Sequence, residues 1–189
     1  AVNGGFKENI IDGSGGAIAN IVSTGLRLIC LSRLPHRKFI ILDVPDCWIK
    51  PQFVPAFAKI IGELSRKLRI QTVIISHHSW EYFKDYGRVI ELEKDGAILE
   101  ANIKHDTAID EQTKKQDYIA EVHLRRFMSH YNTIYKLHPF LTCIIGKNDL
   151  GKSVIASAMK ALAFNDSSDS CVKHNENSAQ VFARLSVGD

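Results

Sequence analysis

The sequence predicts an α/β protein whose mixed sheet includes parallel strands and is flanked by helices. Three observations predict it. Short apolar runs read as buried strands. They alternate with longer segments whose apolar residues recur at helical spacing. Most of these runs end in a polar or glycine-containing turn, and no internal repeat interrupts the alternation.

Taken in order, Ile18 to Leu34 has Ile18, Ile21, Val22, Leu26, Ile29 and Cys30 at helical spacing. The glycine-rich Asp12-Gly13-Ser14-Gly15-Gly16 leads into it and Pro35 ends it. Lys38 to Asp43 reads as a short buried strand ending in a carboxylate. Pro55 to Leu68 follows as a helix with Phe57, Ile60, Ile61, Leu64 and Leu68 on one face. Gln71 to Ile75 is a second buried strand, running into Ser76-His77-His78. Arg88 to Leu92 and Ala97 to Ala101 flank Lys94-Asp95-Gly96 as a hairpin. Asn102 to Gln116 is polar, without a sustained apolar period, and reads as a connector. Ile119 to Phe127 alternates as a strand, and Ile134 to Leu137 extends the sheet. Leu141 to Ile145 is a third buried strand, entering a glycine loop and a helix from Lys152 to Phe164. Asn165 to Ser178 reads as a loop and Ala179 to Val187 as a last strand.

Composition bounds the function. The 189 residues are 45% hydrophobic and 24% charged, which suits a folded domain with its own core. No run of about 18 apolar residues is present, so no membrane span is expected, and the first residues lack the pattern of a secretion signal. A net charge of +3 is too small to argue for nucleic acid by itself. Cys30, Cys47, Cys143 and Cys171 have no zinc or redox spacing; three adjoin apolar runs, so buried reduced thiols in a cytoplasmic protein are expected.

The most specific chemistry lies in Gly146-Lys147-Asn148-Asp149-Leu150-Gly151-Lys152-Ser153, a full GxxxxGK[ST] match with a buried strand before it and a helix after it. Glycines let backbone N–H groups turn inward around a phosphate, and the helix start adds partial positive charge. Lys152 is placed to reach the β- and γ-phosphates and Ser153 to ligate Mg²⁺. Gly146, Asn148 and Gly151 complete this triphosphate-binding loop. Asp43, at a strand end, is the carboxylate expected to orient Mg²⁺, and His77 is positioned to touch a γ-phosphate or its attacking water. Ser14, Gly15 and Gly16 open a helix and form a second anion-binding candidate. Two such sites in one chain fit an arrangement in which one molecule caps nucleotide held by another.

On these residues the chain resembles the ATPase head of the SMC-type branch of ABC ATPases, close to recombination and repair ATPases of bacteria and phages. Ile119 to Phe164, with Arg126-Phe127-Met128-Ser129-His130 and the Walker A loop, is similar to the family's N-terminal lobe. Gly13 to Leu92 is similar to its C-terminal lobe, with Ser14-Gly15-Gly16 at the signature, Asp43 at Walker B and His77 at the switch histidine. The lobes stand in reversed order: 1–101 as the signature and Walker B lobe, 102–117 as the connector, and 118–189 as the Walker A lobe. The resemblance implies a P-loop NTPase head that binds ATP and Mg²⁺ and pairs with a second copy around ATP. It also implies action on DNA with a nuclease partner.

Two positions and one segment depart from the family. Val44 stands where a glutamate polarises water, Cys47 to Gln52 lacks the D-loop aspartate, and Met128 replaces a basic residue. Asp46, two residues beyond Val44, is not expected to rescue the missing glutamate. Slow hydrolysis is one expectation. The other is a degenerate nucleotide-binding module, structural or regulatory, without turnover.

Overall fold

The computed structural model describes residues 2–3, 6–7, 15–35, 38–95, 98–109, 117–165 and 168–187. Its secondary structure is β1 (Val2–Asn3), β2 (Phe6–Lys7), α1 (Gly15–Ser32), β3 (Phe39–Asp43), α2 (Val54–Leu68), β4 (Gln71–Ile75), β5 (Arg88–Asp95), β6 (Ile98–His105), β7 (Tyr118–Phe127), β8 (His130–Lys136), β9 (Leu141–Gly146), α3 (Val154–Phe164) and β10 (Gln180–Ser186). A five-stranded sheet runs β3-β4-β9-β5-β6, and a three-stranded sheet runs β10-β7-β8. Strands β3, β4, β9 and β5 are mutually parallel; β6 pairs antiparallel at the edge. The mixed α/β architecture is thus the one expected.

Periodicity places the layers. In β4 all five residues are buried, as a central strand covered on both faces requires. Ile74 points into one core with Leu42, Cys143, Phe57 and Ile61 beneath α2. Val73 and Ile75 point into the other, with Ile144, Ile155 and Ala158 of α3 and Val122, Leu124 and Tyr135 of the small sheet. Helix α2 ends where Arg69 takes the left-handed conformation (φ 52°), and Ile70 N–H donates back to the Ser65 carbonyl. The chain then enters β4 at once.

Several sequence expectations shift. The polar stretch from Asn102 does not begin a connector, because β6 continues through His105; backbone pairing with β5 outweighs the lack of apolar residues. Residues 110–116 lie outside the described residues. Strand β9, from the 118–189 segment, lies between β4 and β5 of the 1–101 segment, so the two predicted lobes contribute to one sheet. Only Cys143 of the four cysteines is buried; Cys30 and Cys47 are exposed and Cys171 is intermediate.

Helix α1 departs furthest. Its buried residues are Thr24 and Leu28, whereas Ile18, Ile21, Val22, Leu26 and Ile29 are exposed. Polar residues interrupt it, yet its 18 residues reach a mean hydropathy of 1.3 and are long and apolar enough, by length and composition alone, to cross a membrane. Those two properties do not separate a membrane-crossing helix from the core helix of a soluble domain or from a signal sequence, and only 11% of this helix is buried.

One buried histidine ties the fold to pH. The His138 ring is 1% exposed and accepts from Phe140 N–H at Nδ1 (3.1 Å). Burial pushes its pKa down to about 4. The unfolded chain therefore takes up this proton first, near pH 6.5, and stability falls with acid from there down to about pH 4. The loss approaches about 3 kcal/mol. Urea unfolding at neutral pH and near pH 4.5 should show the parent losing more stability than His138→Asn, whose amide oxygen can keep the Phe140 hydrogen bond. Equal losses would contradict this account.

Candidate functional site

Parallel strands β3, β4 and β9 end at one edge of the sheet, where open α/β sheets place their ligands. The register aligns Asp43 with Ile75 and Ile75 with Ile144, so the residues that follow emerge side by side. Strand β9 runs through Gly146 (φ 143°) into the glycine loop, Asp149 and Gly151 take positive φ (64° and 78°), and α3 begins at Val154. The loop curls around a cavity of about 470 Å³ lined by His77, Asn148, Asp149, Gly151, Lys152, Ser153 and Val154.

The Ser153 hydroxyl donates to Asp43 Oδ1 at 3.1 Å, joining positions 110 apart in sequence. Lys152 is 5% exposed and its ammonium turns back onto the loop, donating to the carbonyls of Gly146 (3.0 Å) and Lys147 (2.7 Å). Burial pulls the Lys152 pKa below the ordinary lysine range, against the opposing pull of the Asp149 and Asp43 carboxylates. His77 is exposed at the cavity rim. The turn that carries it is anchored by Ser76, whose hydroxyl donates to Asp46 Oδ2 (2.6 Å) and accepts from His78 N–H (3.0 Å).

Of the predicted site residues, the fold brings together Asp43, His77, Gly146, Asn148, Gly151, Lys152 and Ser153. Gly15 and Gly16 do not line this cavity, and Ser14 lies outside the described residues. Gly16 has a local role: a Cβ there would meet the Trp48 ring at 2.9 Å, so only glycine lets the exposed indole lie over the start of α1. Asp46 is fully buried on Ser76, and its Oδ1 has no partner among the described residues, which removes it as a base for cavity water. Val44 follows Asp43 directly and adopts φ 46°, a left-handed conformation that strains a β-branched residue. Its N–H is held by the Ile75 carbonyl at 2.9 Å.

His130 has a positioning role that sequence reading missed. The ring is buried; Nε2 donates to the Gly151 carbonyl (3.0 Å) and Nδ1 accepts from the Thr133 hydroxyl (2.8 Å). That pattern needs a neutral ring, and burial lowers the His130 pKa accordingly. A Cβ on Gly151 would run into the Ser129 hydroxyl and the His130 ring. The turn between β7 and β8 thus rests directly on the glycine loop. It is gripped from behind by Lys173, whose ammonium donates to the Ser129 carbonyl (2.9 Å), and by Met128 N–H donating to the Cys171 carbonyl (2.8 Å). The available signal was Ser129-His130 itself, but nothing local shows that a strand turn reaches a loop some twenty residues on.

Among the described residues, no group of three or more His, Cys, Asp or Glu could hold a metal ion by itself. A lone carboxylate with an adjacent hydroxyl suits Mg²⁺, which takes most of its remaining ligands from water and substrate phosphates. The Ser153–Asp43 pair has that composition. No protein-family model matches the chain, and neither curated proteins nor solved structures show a significant similarity to it.

Proposed function

We propose that this chain is a P-loop NTPase head of the SMC-like type. In this reading it binds ATP with Mg²⁺ and pairs with a second copy around the nucleotide. The observation that carries this reading is the Ser153–Asp43 hydrogen bond beside the inward-turned Lys152, at the end of the sheet where β3 and β9 flank β4. A carboxylate and a hydroxyl from distant parts of the chain meet where a triphosphate would need its metal.

On binding, the Lys152 ammonium exchanges the carbonyls of Gly146 and Lys147 for β- and γ-phosphate oxygens. Backbone N–H groups from Asn148 to Ser153 surround the phosphates, and the start of α3 adds its partial positive charge. Ser153 and Asp43 would hold Mg²⁺, whose chemistry is to neutralise the phosphate charge and polarise the γ-phosphoryl group. His77, at the rim, positions a water or senses the γ-phosphate. Ser14, Gly15 and Gly16 of one copy cap the nucleotide held by the other. The apolar exposure of α1 and of Trp48 supports association, because large exposed apolar patches mark interaction surfaces.

The resemblance extends this reading to DNA recombination or repair in the cytoplasm, with DNA and a nuclease as further partners. A second reading is favoured by Val44: a nucleotide-binding structural or regulatory module without turnover, since valine neither accepts a proton nor orients water. Calorimetric titration with ATP, with and without Mg²⁺, tests what both readings share. Saturable binding at one site per chain, strengthened by Mg²⁺, is expected; no binding at millimolar nucleotide would remove both. Phosphate release at saturation then separates them.

A further inference from the structure

The phosphate cavity carries an acidic residue that its motif does not require. Asp149 lines the cavity together with Lys152 and Ser153 and stands in the left-handed conformation at φ 64°. Glycine adopts that conformation without cost, and asparagine tolerates it at least as well as aspartate. Backbone geometry therefore does not explain a carboxylate here. Its charge reaches the site: Asp149 acts on the Lys152 ammonium more strongly than Asp43 does. Among the described residues its own carboxylate makes no hydrogen bond or ion pair. The cavity thus sets one inward ammonium, Lys152, beside one lining carboxylate, Asp149, with Asp43 behind Ser153 and outside the lining.

We propose that Asp149 sets the charge selectivity of this cavity, penalising polyphosphates in proportion to their uncompensated negative charge and so favouring nucleotide that carries a bound divalent cation. This inference rests on the nucleotide-binding reading above and adds what form of nucleotide the site accepts. Metal-free ATP brings about four negative charges and its Mg²⁺ complex about two, so the repulsion from Asp149 is about twice as large for the bare ligand. The penalty is about fivefold in affinity for the Mg²⁺ complex. Doubling the energy squares the factor, giving about twenty-five-fold for metal-free ATP. The carboxylate is exposed, so salt screens the effect.

The test is titration of the full chain with ATP in Mg²⁺, ATP in EDTA and ADP, at low and high salt. The variants are Asp149→Asn and Asp149→Gly, with thermal unfolding to confirm that each is folded. Asp149→Asn keeps the side-chain shape and the tolerated backbone conformation while removing the charge. It is expected to bind all three ligands more tightly than the parent, with the largest gain for metal-free ATP and the gains shrinking at high salt. Unchanged affinity in Asp149→Asn overturns the inference. So does tightening by Asp149→Gly alone, which assigns the effect to backbone strain, and so does a gain that is equal for all ligands or insensitive to salt. If the parent and both variants bind no nucleotide, the underlying reading fails, and this inference fails with it.

Discussion

Lys152→Ala is expected to weaken binding of the proposed Mg²⁺–ATP ligand at least about a hundredfold, or about 3 kcal/mol. The Lys152 ammonium is already desolvated and held by two loop carbonyls, so it meets a phosphate with little of its own hydration left to lose. Removing it leaves the carbonyls of Gly146 and Lys147 to repel phosphate oxygens, and leaves Asp43 and Asp149 unbalanced. The fold itself should survive. Lys152 makes no bond to the core, and the loop remains pinned by His130 on the Gly151 carbonyl. Calorimetry beside a thermal melt checks this. A folded variant that binds as the parent does would mean the ligand lies elsewhere.

Val44→Glu is expected to have the largest effect on turnover. The position follows Asp43 directly, at the strand end where a base could face γ-phosphate-bound water. A positioned general base contributes about 10²- to 10⁴-fold to such a reaction. The substitution also exchanges a β-branched residue at φ 46° for an unbranched one, which lowers rather than raises local strain. Phosphate release at saturating Mg²⁺–ATP should therefore rise about a hundredfold or more over the parent. The double variant with Lys152→Ala should stay at background. If Val44→Glu binds nucleotide and hydrolyses it no faster than the parent, the strand end does not face the γ-phosphate, and the non-hydrolysing reading stands.

The parts of this molecule legible in the sequence are those set by local pattern. Buried strands announce themselves as apolar runs, and Gly146 to Ser153 carries its own geometry in its glycine spacing. Asp43 and His77 were legible because each ends such a run. Their convergence is a different matter: it depends on β4 lying between β3 and β9, a pairing over some seventy residues that no local pattern encodes. The His130 contact with Gly151 was hidden for the same reason. Helix α1 shows the opposite failure. Its apolar stripe at helical spacing predicts a buried face, yet Ile18, Ile21 and Leu26 stay exposed while Thr24 and Leu28 are covered. Periodicity identifies the element and cannot say what the element packs against.

The most direct test of the central claim is molar mass in solution by light scattering, with and without Mg²⁺–ATP. The parent should move from the monomer mass of 21.2 kDa to twice that value only when nucleotide is present, and Lys152→Ala should remain monomeric. A parent mass that ignores nucleotide at concentrations where calorimetry shows the site filled would contradict the paired-head account.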